Sequence, residues 1–183
     1  AAGEIKTKPT QHSVMRLREI GLEPDILVCR TEDENHLTSK LKSKLGLFCN
    51  IEKNYVFESP DVETIYEIPL VLFRQGFDRA ICKRLLLRNK KHTKIKLLEK
   101  FIRSYKNPRS SVTIAMCGKY NSLHDAYKSI LEALIHAGVE NISKVNIKWV
   151  DTEKLEKNNN QIDSFFENVD GIIIPGGFGD RGI

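Results

Sequence analysis

Short, nearly all-apolar runs recur along this chain, each separated from the next by residues at helical spacing. Asp25-Ile26-Leu27-Val28-Cys29, Tyr55-Val56-Phe57, Val112-Thr113-Ile114-Ala115-Met116-Cys117 and Gly171-Ile172-Ile173-Ile174 are of this kind. A strand that is apolar along its whole length is one buried on both faces, as in parallel sheets. Val145, Ile147 and Trp149 alternate and add a further strand. Strands alternating with helices require parallel pairing, so the chain is α/β in both its halves.

The helices expected between these strands follow from spacing and from breakers. Residues 10–21 present Val14, Leu17 and Ile20 on one face, with Thr10 as the expected N-cap and Gly21 as the residue past the end. Residues 39–49 place Leu41, Leu45 and Phe48 at helical spacing. A helix is expected to open near Pro60-Asp61 and run toward Gly76, kinked or divided at Pro69. Ile81, Leu85 and Leu86 suggest a short helix. Ile95, Leu98 and Ile102 suggest another, ended by Asn107-Pro108. Residues 124–137 read as a helix closed by Gly138, and Ile162, Phe165 and Phe166 as a short one. Residues 31–38 and 158–160 read as loops.

A change in composition divides the pattern. The run Arg88-Asn89-Lys90-Lys91-His92-Thr93-Lys94-Ile95-Lys96 is basic, and a fresh strand–helix alternation begins after Pro108. The expected organisation is an α/β domain over residues 1–88, a linker with one helix over 89–110 and a second α/β domain over 111–183. The basic run reads as a solvated face more readily than as a nucleic-acid or nuclear-import patch. A three-stranded parallel sheet with an open edge is an unusual finished unit. The second half is therefore expected to continue past residue 183, and the absence of an initial Met fits a chain processed or cut from a longer one.

Composition limits the function classes. With 183 residues, 40% hydrophobic and 29% charged, the chain is expected to be neither a disordered segment nor a membrane span, and its first residues, Ala1-Ala2-Gly3-Glu4, lack the basic and apolar regions of a signal peptide. The net charge of +5 suits anionic ligands but is mild for a nucleic-acid binder. Cys29, Cys49, Cys82 and Cys117 lack metal-clip spacing and read as reduced core thiols, which fits a cytoplasmic location. His12, His36, His92, His124 and His136 show no metal-ligand spacing, and no catalytic triad can be assembled.

Two segments carry chemistry. In Lys6-Thr7-Lys8-Pro9-Thr10-Gln11 an extended backbone ahead of Pro9 would put both lysines on one side, facing the start of a helix. Two ammonium groups, a hydroxyl, an amide and free helix N–H groups there would suit a triphosphate. The same residues also suit a basic loop with a capping threonine. Pro175-Gly176-Gly177-Phe178-Gly179 follows a buried strand, where glycines let successive N–H groups face one anion, as an oxyanion hole requires. It also suits an ordinary strand-to-helix turn. It is not a Walker loop, since no Gly-Lys-Ser/Thr follows, and Gly118-Lys119-Tyr120 lacks the rest of that motif.

These segments, with Pro24-Asp25-Ile26-Leu27-Val28-Cys29-Arg30, Leu47-Phe48-Cys49-Asn50, Asp61-Val62 with Ile65-Tyr66, and Asp125-Ala126-Tyr127-Lys128-Ser129, make the chain resemble the CTP synthase family. They occur in family order along nearly the whole chain. The resemblance implies the end of a P-loop-type amidoligase domain at residues 1–88 and the start of a flavodoxin-like class I glutamine amidotransferase domain at 111–183. It implies the ATP-dependent amination of UTP to CTP with ammonia from glutamine, a step of pyrimidine biosynthesis. It places UTP, or CTP as inhibitor, at Lys6, Thr7, Lys8, Pro9, Thr10 and Gln11, with Lys44 as a further contact. It places ATP at Pro60, Asp61 and Val62, with Arg30 near the adenine, and gives Gly177 an oxyanion amide. Lys128 and Asp180-Arg181-Gly182 fall near the gate that responds to GTP, an allosteric activator. It further implies Mg²⁺, whose ligands lie outside these residues, together with a tetramer and no nucleic-acid or membrane partner. The phosphate loop and the amidotransferase Cys-His-Glu triad also fall outside, so no catalytic residue and no metal ligand is assigned here, and the chain alone is expected to be inactive. The alternatives are another amidotransferase-coupled ligase, which the Lys6–Gln11 segment argues against, and a non-enzymatic nucleic-acid module using the basic run.

Overall fold

A computed structural model describes residues 6–34, 36–88, 94–118, 124–157 and 162–176. It is mixed α/β with two small parallel sheets, in two compact units, Ala1–Glu99 and Lys100–Ile183.

The first unit contains helix α1 (Lys8–Glu19), strand β1 (Leu27–Thr31), helix α2 (Ser39–Cys49), strand β2 (Val56–Pro60), and helices α3 (Ile68–Arg74) and α4 (Phe77–Arg84). Strands β1 and β2 pair in parallel, Leu27 opposite Val56 through Thr31 opposite Pro60. Their shared core is Val14 of α1, Cys29 of β1, Leu45 and Cys49 of α2, and Leu37, Ile51, Tyr55 and Val56. Leu45 is 2% exposed, and burying such a side chain stabilises by about 1.5–3 kcal/mol.

In this unit three helix boundaries differ from the sequence expectation. Helix α1 begins at Lys8 rather than after Thr10, with Thr7 as its N-cap residue. Pro9 therefore lies inside the first turn, where its missing N–H removes a group that has no intrahelical partner anyway. No helix opens at Pro60, which instead ends β2. Pro69 does not kink a long helix; it sits in the first turn of α3 and helps to start it. The other end of α1 follows expectation. Gly21 has φ +81°, its N–H donates to the Arg18 carbonyl, and the Leu22 N–H donates to that of Leu17. This is a Schellman closure, which favours glycine.

Helix α2 ends on Asn50 in the left-handed region (φ 52°), and the Ile51 N–H returns to the Gly46 carbonyl at 2.9 Å. Gly46 lies so close to the returning chain that a Cβ on it would stand 2.5 Å from the Ile51 carbonyl oxygen.

Helix α5 (Ile95–Lys106) spans the division between the units. The second unit continues with strand β3 (Ser110–Gly118), helix α6 (Lys128–Glu140), strand β4 (Ser143–Asp151), short helices α7 (Thr152–Lys157) and α8 (Ile162–Phe165), and strand β5 (Gly171–Ile173). The sheet order is β4-β3-β5, all parallel. Ala115, Cys117 and Val150 form its buried centre, covered by Leu155, Phe165, Phe166 and Val169. Asp170 fixes the entry of β5. Its N–H donates to the Thr113 carbonyl at 2.8 Å and its carboxylate accepts the Thr113 N–H at 2.7 Å.

Gly138 does not close α6, which runs on to Glu140. Gly138 is buried within it, where a Cβ would lie 2.6 Å from the Ser143 carbonyl oxygen. Helix α7 was not legible in the sequence. Asp151 caps it, its carboxylate accepting the N–H groups of Glu153 and Lys154 at 3.0 and 3.4 Å.

Candidate nucleotide site

The C-terminal ends of β1 and β2 lie side by side, because parallel pairing brings both strands out on the same edge. In open α/β sheets, ligands bind beyond this edge. Arg30 of β1 reaches across to Asp61, which follows β2. Its Nε and Nη2 both stand 2.9 Å from Asp61 Oδ1. The Asp61 N–H donates to the Thr31 carbonyl at 2.9 Å, so strand-like pairing continues past Pro60. The structure thus brings together two residues 31 positions apart that the sequence reading gave to one ligand. Both side chains are exposed to solvent.

Glu58 lies just behind this edge and was missed by sequence reasoning. It is 7% exposed, and a carboxylate buried so deeply must be hydrogen-bonded to be tolerated. Its Oε1 accepts the Leu37 N–H at 2.8 Å and stands 3.2 Å from the Thr31 hydroxyl. Gln75, at the end of α3, meets the backbone of the same residue: the Glu58 N–H donates to Gln75 Oε1 at 2.9 Å, and Gln75 Nε2 donates to the Glu58 carbonyl at 2.7 Å. The one signal available in the sequence was a charged residue directly after the apolar run Tyr55-Val56-Phe57.

A cavity of about 400 Å³ adjoins these groups, walled by Leu37, Thr38, Lys42, Glu58, Pro60 and Arg74 among others. Lys42 Nζ is 3.5 Å from Gln75 Oε1. The walls mix two cations with carboxylates, hydroxyls and apolar carbon, which suits a polar organic ligand better than a bare anion.

The Lys6–Gln11 segment is arranged differently from the expectation. Lys8 is helical, so the extended geometry that would align it with Lys6 is not formed. Both lysines are exposed, whereas Thr7 is buried and its Oγ1 accepts from Gln11 Nε2 at 3.2 Å. One N–H of the amide and the hydroxyl oxygen are therefore engaged with each other. Pro9 is exposed and Thr10 half-buried, and the Gln11 N–H already donates to the Thr7 carbonyl. What the segment offers to solvent is two ammonium groups at the positive end of α1. Lys44 is exposed on α2, and α1 packs on α2. Val62 is half-buried beside Asp61.

In the second unit Lys128 is exposed at the start of α6. Gly177 and Asp180-Arg181-Gly182 lie outside the described residues, as do Lys119 and Tyr120. Pro175 and Gly176 follow β5, which puts the start of the glycine segment at the C-terminal edge of the second sheet.

All four cysteines are free. Burial pushes the thiols of Cys29, Cys49 and Cys117 above the ordinary value of 9.0, and for Cys29 the neighbouring Cys49 adds to the rise. Neutral, inert thiols result. Among the described residues no three or more His, Cys, Asp or Glu side chains are grouped to hold a metal. Among the same residues no helix is long and apolar enough to cross a membrane.

Comparison with known proteins shows what the two halves of the chain are similar to. Residues 1–87 match the model for the CTP synthase N-terminus, and residues 122–183 match the class-I glutamine amidotransferase model. The chain belongs to the CTP synthase family. It is 50% identical over 182 residues to a CTP synthase of Ruminiclostridium cellulolyticum, covering 100% of this chain and 33% of that relative. It is likewise 50% identical over 182 residues to one from Clostridium acetobutylicum, with the same coverage. With one from Methanocaldococcus jannaschii it shares 49% identity over 187 residues, covering 100% of this chain and 34% of the relative. The chain thus spans about a third of the length of these curated relatives.

Proposed function

We propose that this chain is the part of a CTP synthase in which the amidoligase domain, residues 1–88, passes through a connector, 89–110, into the glutamine amidotransferase domain, 111–183. The observation that carries this reading is the order of the two family matches on one chain, with about half of the residues identical along its full length. The match over residues 1–87 favours CTP synthase over another amidotransferase-coupled ligase.

In this function ATP phosphorylates the uracil 4-oxygen of UTP, and ammonia released from glutamine displaces that phosphate to give CTP. The residues of this chain bind and orient. Lys6 and Lys8, exposed at the positive end of α1, neutralise the UTP triphosphate, and Lys44 assists. CTP competes at the same groups. The Arg30–Asp61 pair and the backbone from Pro60 to Val62 receive the adenine end of ATP at the edge of the first sheet. The Gly177 amide stabilises the oxyanion formed when glutamine is attacked. GTP, acting near Lys128 and residues 180–182, couples the two halves. Mg²⁺ would assist phosphoryl transfer; among the described residues no three or more His, Cys, Asp or Glu side chains are grouped to hold it. The complete protein would act in the cytoplasm as a tetramer, without a nucleic-acid partner, and residues 1–183 alone would turn over neither half-reaction.

The test is transfer of label from amide-¹⁵N-glutamine to CTP by the complete protein supplied with UTP, ATP and Mg²⁺. Labelled CTP is expected. Glutamine hydrolysis without CTP would overturn the reading in favour of a different acceptor.

A further inference from the structure

We propose that Glu58 is a positioning residue for ATP, acting through the ends of β1 and β2. The proposal rests on the reading above that Arg30 and residues 60–62 receive ATP.

Glu58 is the point at which four segments are tied. Through its backbone it pairs opposite Cys29 of β1 and is held on its outer edge by Gln75, which follows α3. Through Oε1 it takes the Leu37 N–H, which fixes the segment leading into α2. The same oxygen is 3.2 Å from the Thr31 hydroxyl, which also stands 3.0 Å from the Asp33 carbonyl. That hydroxyl has one proton, so it serves one acceptor at a time. Thr31 follows Arg30 directly, and its carbonyl accepts the Asp61 N–H. A shift of Thr31 would therefore move both partners of the Arg30–Asp61 pair. The ring of Pro60 fixes φ between Glu58 and Asp61, which limits how far the chain could compensate.

A buried carboxylate in this role is otherwise a poor choice. An apolar residue would cost nothing to desolvate, and the flanking Val56 and Phe57 show that the strand accepts apolar side chains. What only an acceptor supplies is a fixed distance between β2 and the 31–37 segment. Binding sites depend on such supporting contacts, since a small misplacement of contact groups is costly.

The experiment uses the complete enzyme and follows ammonia-dependent CTP formation. Glu58→Leu removes both acceptor oxygens at similar volume. It is expected to raise the KM for ATP about tenfold, the scale of one lost buried hydrogen bond, with the KM for UTP within about twofold. Glu58→Gln keeps an oxygen for the Leu37 N–H and should restore ATP binding close to the parent. Thr31→Val, which keeps shape and loses only the hydroxyl, should raise the KM for ATP in the same direction by a smaller factor, and it decides the matter if Glu58→Leu does not fold. Equal rises for ATP and UTP in these variants would mean general loosening and overturn the proposal. Arg30→Ala and Asp61→Ala separate the two claims. If they raise the KM for ATP while Glu58→Leu and Thr31→Val do not, positioning by Glu58 is wrong. If neither Arg30→Ala nor Asp61→Ala changes it, the ATP reading of this edge falls and the proposal falls with it.

Discussion

The carboxamide of Gln75 lies along the outer edge of β2 and makes both backbone hydrogen bonds of Glu58, accepting its N–H at 2.9 Å and donating to its carbonyl at 2.7 Å. One side chain thus does locally what a third strand would do. This matters because a two-stranded sheet leaves backbone groups unpaired on both edges. Gln75→Leu should lower the stability of the complete protein by about 1–3 kcal/mol, since it strands a half-buried donor and acceptor. Gln75→Glu should be nearly as harmful, because a carboxylate cannot donate to the Glu58 carbonyl. Urea denaturation measures both, and a loss below about 0.5 kcal/mol in Gln75→Leu would show that water replaces the amide there.

Gly46→Ala and Gly21→Ala should differ in size. At Gly46 the new methyl would meet the Ile51 carbonyl oxygen at 2.5 Å, so α2 or the chain after it must shift. Overpacking of this kind costs about 1–3 kcal/mol. Gly21 has open space around it, and only its φ of +81° resists a side chain, at about 1 kcal/mol. Thermal unfolding of the pair should rank Gly46→Ala as the more damaging, and the reverse order would show that the α2 turn is free to relax.

The buried thiols give a pH prediction. The folded-state pKa values of Cys29, Cys49 and Cys117 are raised by burial above the ordinary 9.0. Below that value the thiol is neutral whether folded or unfolded, and the stability its burial supplies is fully present. As pH rises past 9.0 toward the folded values the unfolded chain loses protons first, and that stability is lost. Alkylation by iodoacetamide at pH 8 should therefore modify Cys82 first, because it alone is not buried. Mass mapping of time points checks this. Early labelling of Cys49 would mean that α2 opens readily.

Lys8→Ala in the complete enzyme should weaken UTP and CTP binding about ten- to hundredfold while sparing glutamine hydrolysis. A lost charge-assisted hydrogen bond is worth about 1.5–3 kcal/mol, and Lys8 stands exposed in the first turn of α1. Calorimetric titration with UTP provides the measurement, and an unchanged affinity would remove Lys8 from the site.

Gly177→Pro should separate the two activities. Proline removes the amide proton and restricts φ, so an oxyanion donor at that position is lost. Glutamine-driven CTP synthesis should fall by at least about 10²-fold, while synthesis from supplied ammonia survives. Gly177→Ala keeps the N–H and should be milder. Equal falls in both activities, with the circular dichroism spectrum unchanged, would make Gly177 a structural turn instead.

The α/β class was legible in the sequence because strands of parallel sheets are written as short apolar runs, although burial on both faces is not reached in β1 and β5, where Val28 and Ile172 are 46% and 54% exposed. The runs at residues 25–29, 55–57, 112–117 and 171–174 each lie at or beside an observed strand. Residues 39–49 were read as a helix with the bounds the structure has, since the spacing of Leu41, Leu45 and Phe48 carries the period. Prolines were misjudged where their effect depends on position: Pro9 and Pro69 occupy first turns, where a missing N–H costs nothing, and Pro60 ends a strand. Gly138 reads locally as a helix end, but its reason is the carbonyl of Ser143 packed against it, which no local pattern records. The same holds for the site. Family motifs could mark Arg30, Asp61 and the Lys6–Gln11 segment one by one. That Arg30 reaches Asp61, that Thr7 binds Gln11, and that Glu58 ties Leu37 and Thr31 while Gln75 holds its backbone were decided by the tertiary structure alone. These contacts join residues whose distance is set by parallel pairing and by helices packed on the sheet, and sequence spacing carries no such distances.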